Sequence, residues 1–218
     1  MNDDYIARKE RWARKMASQP TPPPARSAER LPPGQRQVHN FPTLDLGIRP
    51  EVPQDAWQLK IHGLVENPVT WSWTDFLDLP QFQDTSDFHC VTNWSQFDMQ
   101  WQGVAFFTLV EQVRPKAKAT HVFFKGYDGY STNNPLEACL DDDVLIAHSW
   151  SGKPLAKEHG GPARVILPKR YAWKGAKWIR EIHFLDRDLL GFWELRGYSN
   201  TADPWTNDRF APNAGTPP

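Results

Sequence analysis

Between Trp57 and Val65 the chain reads "WQLKIHGLV", which sets Trp57, Leu59 and Ile61 against Gln58, Lys60 and His62. Strict alternation of this kind marks a strand with one buried and one wet face. Gly63 and the Asn67-Pro68 pair then predict turns. In "SWTDFLDLP", Ser72 stands three residues before Asp75, so each side chain can reach the other's backbone N–H at a helix start. The short helix that follows should end at Pro80. "GVAFFTLVEQV" aligns Phe106, Leu109, Val110 and Val113 on one face, predicting a helix over 104–113. "THVFFKGYDGYS", "DVLIAHSW", "ARVILPKR" and "KWIREIHFLD" read as further strands, separated by Gly, Asp and Pro clusters. Many short strands with few helices predict a β-rich α+β domain rather than a doubly wound one.

The ends differ from this middle. Residues 1–18 can form a short charged helix, and 19–36 carry Pro20, Pro22, Pro23, Pro24, Pro32 and Pro33. Proline at that density favours an extended arm. The expected organisation is a charged, Pro-rich arm at 1–37, a globular domain at 38–205 and a tail at 206–218. The aromatic run "GFWELRGYSNTADPWTNDRF" can either wrap the surface or close over a pocket. No stretch approaches the roughly 18 apolar residues that span a membrane. The N-terminus has neither an apolar signal core nor paired arginines, so a cytoplasmic location is expected. A length of 218 residues and a net charge of −1 fit one domain and give no reason to expect nucleic acid as a partner. Eleven tryptophans suit a packed core, and equally the wall of a large pocket.

Two stretches could carry chemistry. "DFHCVTNWSQ" holds Cys90, one of two cysteines with Cys139, too few for a disulfide framework. A thiolate is a soft metal ligand, but cysteine is also among the most often buried residues, and the residues alone leave both readings open. Neither CxxC nor HxxxH is present to suggest a zinc site. The second stretch, 152–178, gathers Lys153, Lys157, Arg164, Lys169, Arg170, Lys174 and Lys177 around Gly160, Gly161 and Gly175. Such a set can cradle a phosphorylated small molecule, or can be a solvated basic loop. Walker A and GxGxxG patterns are absent. The acidic run Asp141–Asp143 reads as a solvated turn rather than a hard-cation site.

Taken together, the two stretches resemble the molybdopterin-binding oxidoreductases of the sulfite oxidase family. "FHCVTNWS" looks like that family's ligand-cysteine segment. "SGKPLAKEHGGPARVILPKRYAWKGAKWIREI" is similar to its second signature, and "GFWELRGYSNTADPW" to the ending of compact members. The resemblance covers roughly 38–205 and implies the family's α+β domain with layered β-sheets and few short helices. It implies a cofactor of molybdenum on molybdopterin, with Cys90 as the single protein thiolate and as both metal ligand and catalytic residue. His159 and Arg164 fall where the family contacts the pterin, and Gly175, Ala176 and Lys177 where it holds the phosphate. His39, Pro42, Thr43 and Gly126 match further pterin contacts. The implied activity is two-electron oxygen-atom transfer on a small sulfur or nitrogen oxo compound. A non-catalytic carrier or a sulfite-oxidising enzyme proper are the alternatives. Positions 91–96 carry no cation, which argues against the sulfite dianion, and "CVTNWS" looks more like the methionine-sulfoxide-reductase subgroup. A separate electron-transfer partner and a monomer are expected.

Overall fold

The computed structural model describes residues 3–18 and 30–212; the expected extended segment 19–29 lies outside them. The predicted N-terminal helix is present as α1 (Asp3–Ala17), with Asp3 and Asp4 in its first turn and Arg14 and Lys15 in its last, which suits the helix dipole. It is seated on the domain, where Ile6 and Ala13 are buried. Globular structure begins just before Val38, because Arg36–Gln37 already form a strand, β1.

Two sheets follow. The first runs β3 (Val69–Ser72), β2 (Gln58–Gly63), β11 (Ile179–Leu185), β6 (His121–Gly126) and β7 (Ser131–Pro135) in spatial order. Its β2–β11 pair is parallel and its other pairs antiparallel. The second is ordered β1, β5 (Trp94–Ala105), β8 (Leu145–Trp150) and β10 (Arg164–Ile166), with β4 (Phe82–Cys90) on β5 and β9 (Lys153–Pro154) on β8. Short helices α2 (Trp73–Asp78), α3 (Phe106–Val113) and α4 (Leu136–Cys139) fill the connections.

The expected strand at "WQLKIHGLV" is β2, whose Leu59 and Ile61 are fully buried while Lys60 faces out. The Ser72–Asp75 capping box forms as expected, with Ser72 N–H donating to Asp75 Oδ2 at 2.8 Å and Asp75 N–H to Ser72 Oγ at 3.2 Å. The helix expected over 104–113 is two residues shorter. Val104 and Ala105 pair with Ile146 and Leu145 as the end of β5, because the ladder of the second sheet claims them first.

Apolar residues divide into two cores. One, between the two sheets, holds Ile61, Phe106, Phe124, Ile146, Val165 and Ile182. The other, on the far side of the second sheet, holds Phe88, Cys90, Trp101, Leu145, Ala147 and Ile166. Successive residues of β8 and β10 thus point into different cores, which is why both strands read as unbroken apolar runs. The functional cavity opens in the second core.

Candidate functional site

Cys90 ends β4 at a tight turn and is paired with Trp94, the first residue of β5. Asn93 takes a left-handed conformation (φ 66°) and donates its N–H to the Cys90 carbonyl at 3.2 Å, closing the turn. Strand alternation separates His89 from Cys90: His89 meets Ser95 Oγ at 2.8 Å, whereas the Cys90 thiol lies against Thr92 Oγ1 at 3.2 Å and lines the cavity. Remote residues pin the same turn. Gln35 donates to the Cys90 carbonyl at 3.0 Å, Asn93 donates to the Met16 carbonyl of α1, and Arg209 donates to Val91 O and Asn93 Oδ1. Both cysteines are free and buried. Burial pushes the Cys90 thiol up, while the Thr92 hydrogen bonds, Arg209 and Lys177 pull it down.

The cavity encloses about 900 Å³ of empty space, its open mouth included. Five of the chain's tryptophans line it: Trp12 from α1, Trp94, Trp173, Trp178 and Trp193. The same cavity is lined by Arg164 at the start of β10 and Lys177 just before β11. Arg164 donates to the His159 carbonyl at 3.0 Å, and its guanidinium lies 5.2 Å from the centre of the Phe88 ring. Burial lowers Arg164 to about 10. Lys177 donates to the Glu158 carbonyl at 2.8 Å and is lowered to about 7, by burial first and by Arg164 second. His159 stacks on Phe41 at 4.1 Å and is held down to about 4 by burial and by Arg164, so it is a neutral ring. Gly160, at φ 102°, leaves room for the Lys177 side chain, whose Cβ would lie 2.9 Å from any added methyl group.

Three fully buried side-chain polar atoms of the described cavity-lining residues lack a partner. Among the described residues, the buried side-chain polar atoms without a partner that belong to cavity-lining residues are Arg164 Nε, Trp94 Nε1 and Trp173 Nε1. All three are donors. Asp45, which also lines the cavity, already accepts from Tyr5, Gly47 and Arg49. Asp128 is raised to about 6 by burial. Free donors beside two cations fit an electronegative, anionic ligand, and a thiol facing the same space fits a thiophilic centre on that ligand.

Of the residues picked out by sequence, Cys90, Pro42, His159, Arg164, Gly175 and Lys177 share the cavity. His39 is exposed, and Thr43, Gly126 and Ala176 are outside the lining. Gly126 acts from behind: a methyl group there would meet Asp128 Oδ1 at 2.4 Å and the Lys177 carbonyl at 2.6 Å. The basic stretch is much reduced. Lys157 pairs with Glu51, Lys169 with the Asp141–Asp143 turn at 3.4–3.8 Å, and Lys174 with buried Glu194. Lys153 is exposed and Arg170 does not line the cavity. Asp128 and Tyr130 in the wall and Gln35 behind the thiol turn had no signal in the sequence, while Thr92 sits in the thiol stretch and Trp193, Tyr198 and Arg209 in the aromatic run without being singled out. The aromatic tail therefore walls the cavity, through Trp193 and Tyr198.

A layered, β-rich α+β domain with a thiol, an aromatic wall and a cation pair around one cavity defines a binder of an anionic, metal-bearing organic cofactor. The family follows directly: residues 46–193 match the oxidoreductase molybdopterin binding domain, and the chain belongs to that family. The chain is 40% identical over 182 residues to the uncharacterized oxidoreductase YuiH of Bacillus subtilis (strain 168), covering 83% of this chain and 92% of that one. It is 27% identical over 155 residues to the protein-methionine-sulfoxide reductase catalytic subunit MsrP of Ralstonia nicotianae, covering 64% of this chain and 46% of MsrP. Among solved structures it resembles the sulfane dehydrogenase SoxCD of Paracoccus pantotrophus, with a TM-score of 0.59 and 26% identity over 64% of this chain and 40% of that one. The chain thus spans less than half of MsrP and of the SoxCD chain. It is a molybdopterin-dependent oxidoreductase of the sulfite oxidase type, and its cofactor is molybdenum on molybdopterin. Among the described residues, no helix is long and apolar enough to cross a membrane.

Proposed function

We propose that the protein catalyses two-electron oxygen-atom transfer on a small sulfur or nitrogen oxo compound, with Cys90 as the protein ligand to molybdenum. The observation that carries this reading is the placement of the Cys90 thiol and the Arg164–Lys177 pair on one cavity, whose lining residues also hold three buried donors without a partner. When bound, the cofactor supplies a metal that cycles between Mo(VI) and Mo(IV).

The chain's own residues hold and screen it. Cys90 gives up its proton on ligation, and Thr92 Oγ1, Arg209 and Lys177 favour the resulting thiolate. Arg164 and Lys177 would hold the cofactor's terminal phosphate, by a guanidinium fork and an ammonium. His159, stacked on Phe41 as a neutral ring, would pack beside the pterin. The tryptophan wall excludes water and limits access to small molecules.

The turn after Cys90 bears on the substrate. Arg209 brings a cation to that turn, but it is engaged by Val91 O, Asn93 Oδ1 and Asn207 Oδ1 and does not line the cavity. An oxyanion such as sulfite finds no free clamp there, which supports an uncharged oxo compound such as a sulfoxide. The name of MsrP agrees with that class. A separate electron partner completes the cycle.

The test is expression in a host that makes the cofactor, followed by metal analysis and turnover with sulfoxide and sulfite, using dye donors and acceptors. Near-stoichiometric molybdenum is expected in the wild type and its loss in Cys90→Ser. Arg164→Ala and Lys177→Ala each remove a charge-assisted contact worth about 1.5–3 kcal/mol, so each should weaken retention by roughly 10- to 100-fold. Full molybdenum in all three variants refutes the site. Bound cofactor with a metal that no oxo compound oxidises or reduces would favour a carrier instead.

A further inference from the structure

A second cluster of ligating side chains lies on the outer face of the first sheet, away from the cavity lining. β2 and β11 are parallel neighbours in a register that sets His62 beside His183, so both imidazoles project from one face. Their rings stack at 4.3 Å and 17°. Glu181 is two residues before His183 on the same face, and its Oε1 lies 2.9 Å from His62 Nε2. One ligand atom from each of His62, Glu181 and His183 can be chosen so that all lie within 4.8 Å of one another.

All three side chains are half-buried rather than splayed into water. Gly63 makes the arrangement possible, because a methyl group there would stand 2.4 Å from His183 Cδ2.

We infer that His62, His183 and Glu181 form a second metal site, separate from the molybdenum cofactor, that takes a divalent transition ion of the zinc class. Two imidazole nitrogens and a carboxylate are the donors such borderline ions prefer, and a fourth position stays open to water. Zinc bond lengths place neighbouring ligand atoms about 3.4 Å apart, so the two imidazoles must turn out of their stack about Cα–Cβ and Cβ–Cγ to aim both nitrogens at one ion. A built-in competitor is present: Lys125 Nζ lies 2.9 Å from the same Glu181 oxygen. Lys125 is 43% exposed and can swing into water when a doubly charged ion takes its place. A bound ion would clamp β2 to β11, strands that are 121 positions apart at His62 and His183.

The experiment uses cofactor-loaded protein without a histidine tag, dialysed against chelator, then titrated with Zn²⁺ by calorimetry and with Co²⁺ by visible absorption. One zinc per chain is expected, with a melting point that rises on binding. Loss of either ligand, in His62→Ala or His183→Ala, should weaken binding by at least about tenfold. Lys125→Gln should tighten it several-fold, a gain that a merely structural histidine pair would not show. Molybdenum content, measured in parallel, should be unchanged throughout. No saturable uptake by the wild type, or equal uptake by a His62→Ala/His183→Ala variant that melts like the wild type in chelator, overturns the inference.

Discussion

Lys174 tests most directly what the fold adds to the sequence. In the chain it belongs to the same basic stretch as Arg164 and Lys177, yet it is fully buried away from the cavity. Its ammonium donates to Glu194 Oε1 at 2.9 Å and to Asn133 Oδ1 at 3.3 Å, and Thr132 Oγ1 donates to the same Glu194 oxygen at 2.9 Å. Both side chains of the pair are only 1% exposed. Burial pushes Lys174 down, and the Glu194 carboxylate pulls it back only in part. The pair is therefore close to break-even against two apolar residues, but strongly protective against losing one member. Lys174→Met keeps the volume and strands a buried carboxylate, at a cost of about 3–5 kcal/mol. In a domain of this size each kcal/mol moves the melting temperature by roughly 2–4 °C, so a fall of about 6–20 °C is expected. Lys174→Met/Glu194→Leu should recover most of it. Calorimetry of cofactor-free protein gives the melting temperatures, and metal analysis of loaded protein gives the molybdenum. If Lys174→Met melts with the wild type but sheds its molybdenum, the lysine serves the ligand and the reasoning fails.

Two further outcomes follow from the cavity. Lys177, lowered to about 7 when folded, returns to its ordinary value near 10.4 when unfolded. Between those values the unfolded chain binds more protons, so the cofactor-free protein gains stability as pH rises from about 7 to 10 and loses it again on acidification. Chemical denaturation across that range should show the slope in the wild type and a flatter one in Lys177→Met; identical slopes would remove Lys177 from the account. Ala13, a buried residue of α1 that lines the cavity, cannot be replaced by a charged side chain without lifting the helix. Ala13→Glu should therefore speed thiol labelling of Cys90 in cofactor-free protein by about tenfold or more, because labelling follows local opening. Equal rates would mean that α1 does not guard the thiol.

Several elements were legible because their physics is local. β2 shows period-two alternation, α2 carries its own cap, and the strands β6, β8 and β10 are mostly apolar runs bounded by turn residues, while β11 mixes apolar with charged positions. The β4–β5 hairpin, which presents Cys90, was not legible as strands. Its register shifts between Ser86 and Phe88, and Asp98 adopts a left-handed φ of 54°, so the alternation that would reveal it is broken.

For the site, the sequence by itself determined the kinds of group available: a thiol in "FHCVTNWS", cations and glycines at 152–178, and tryptophans in excess. Together with the spacing of the two signatures, these were enough to point to the family. Which groups share a cavity was decided only by the tertiary structure. Of seven cations in the basic stretch it assigns two to the cavity, and it spends Lys157, Lys169 and Lys174 on carboxylates at positions 51, 141–143 and 194. It also supplies Gln35 from 55 positions before Cys90 and Arg209 from 118 positions after Val91. The reason is physical: a cation's role depends on whether its nearest acceptor is a carboxylate or an open cavity. Packing of distant strands makes that choice, and no local spacing records it.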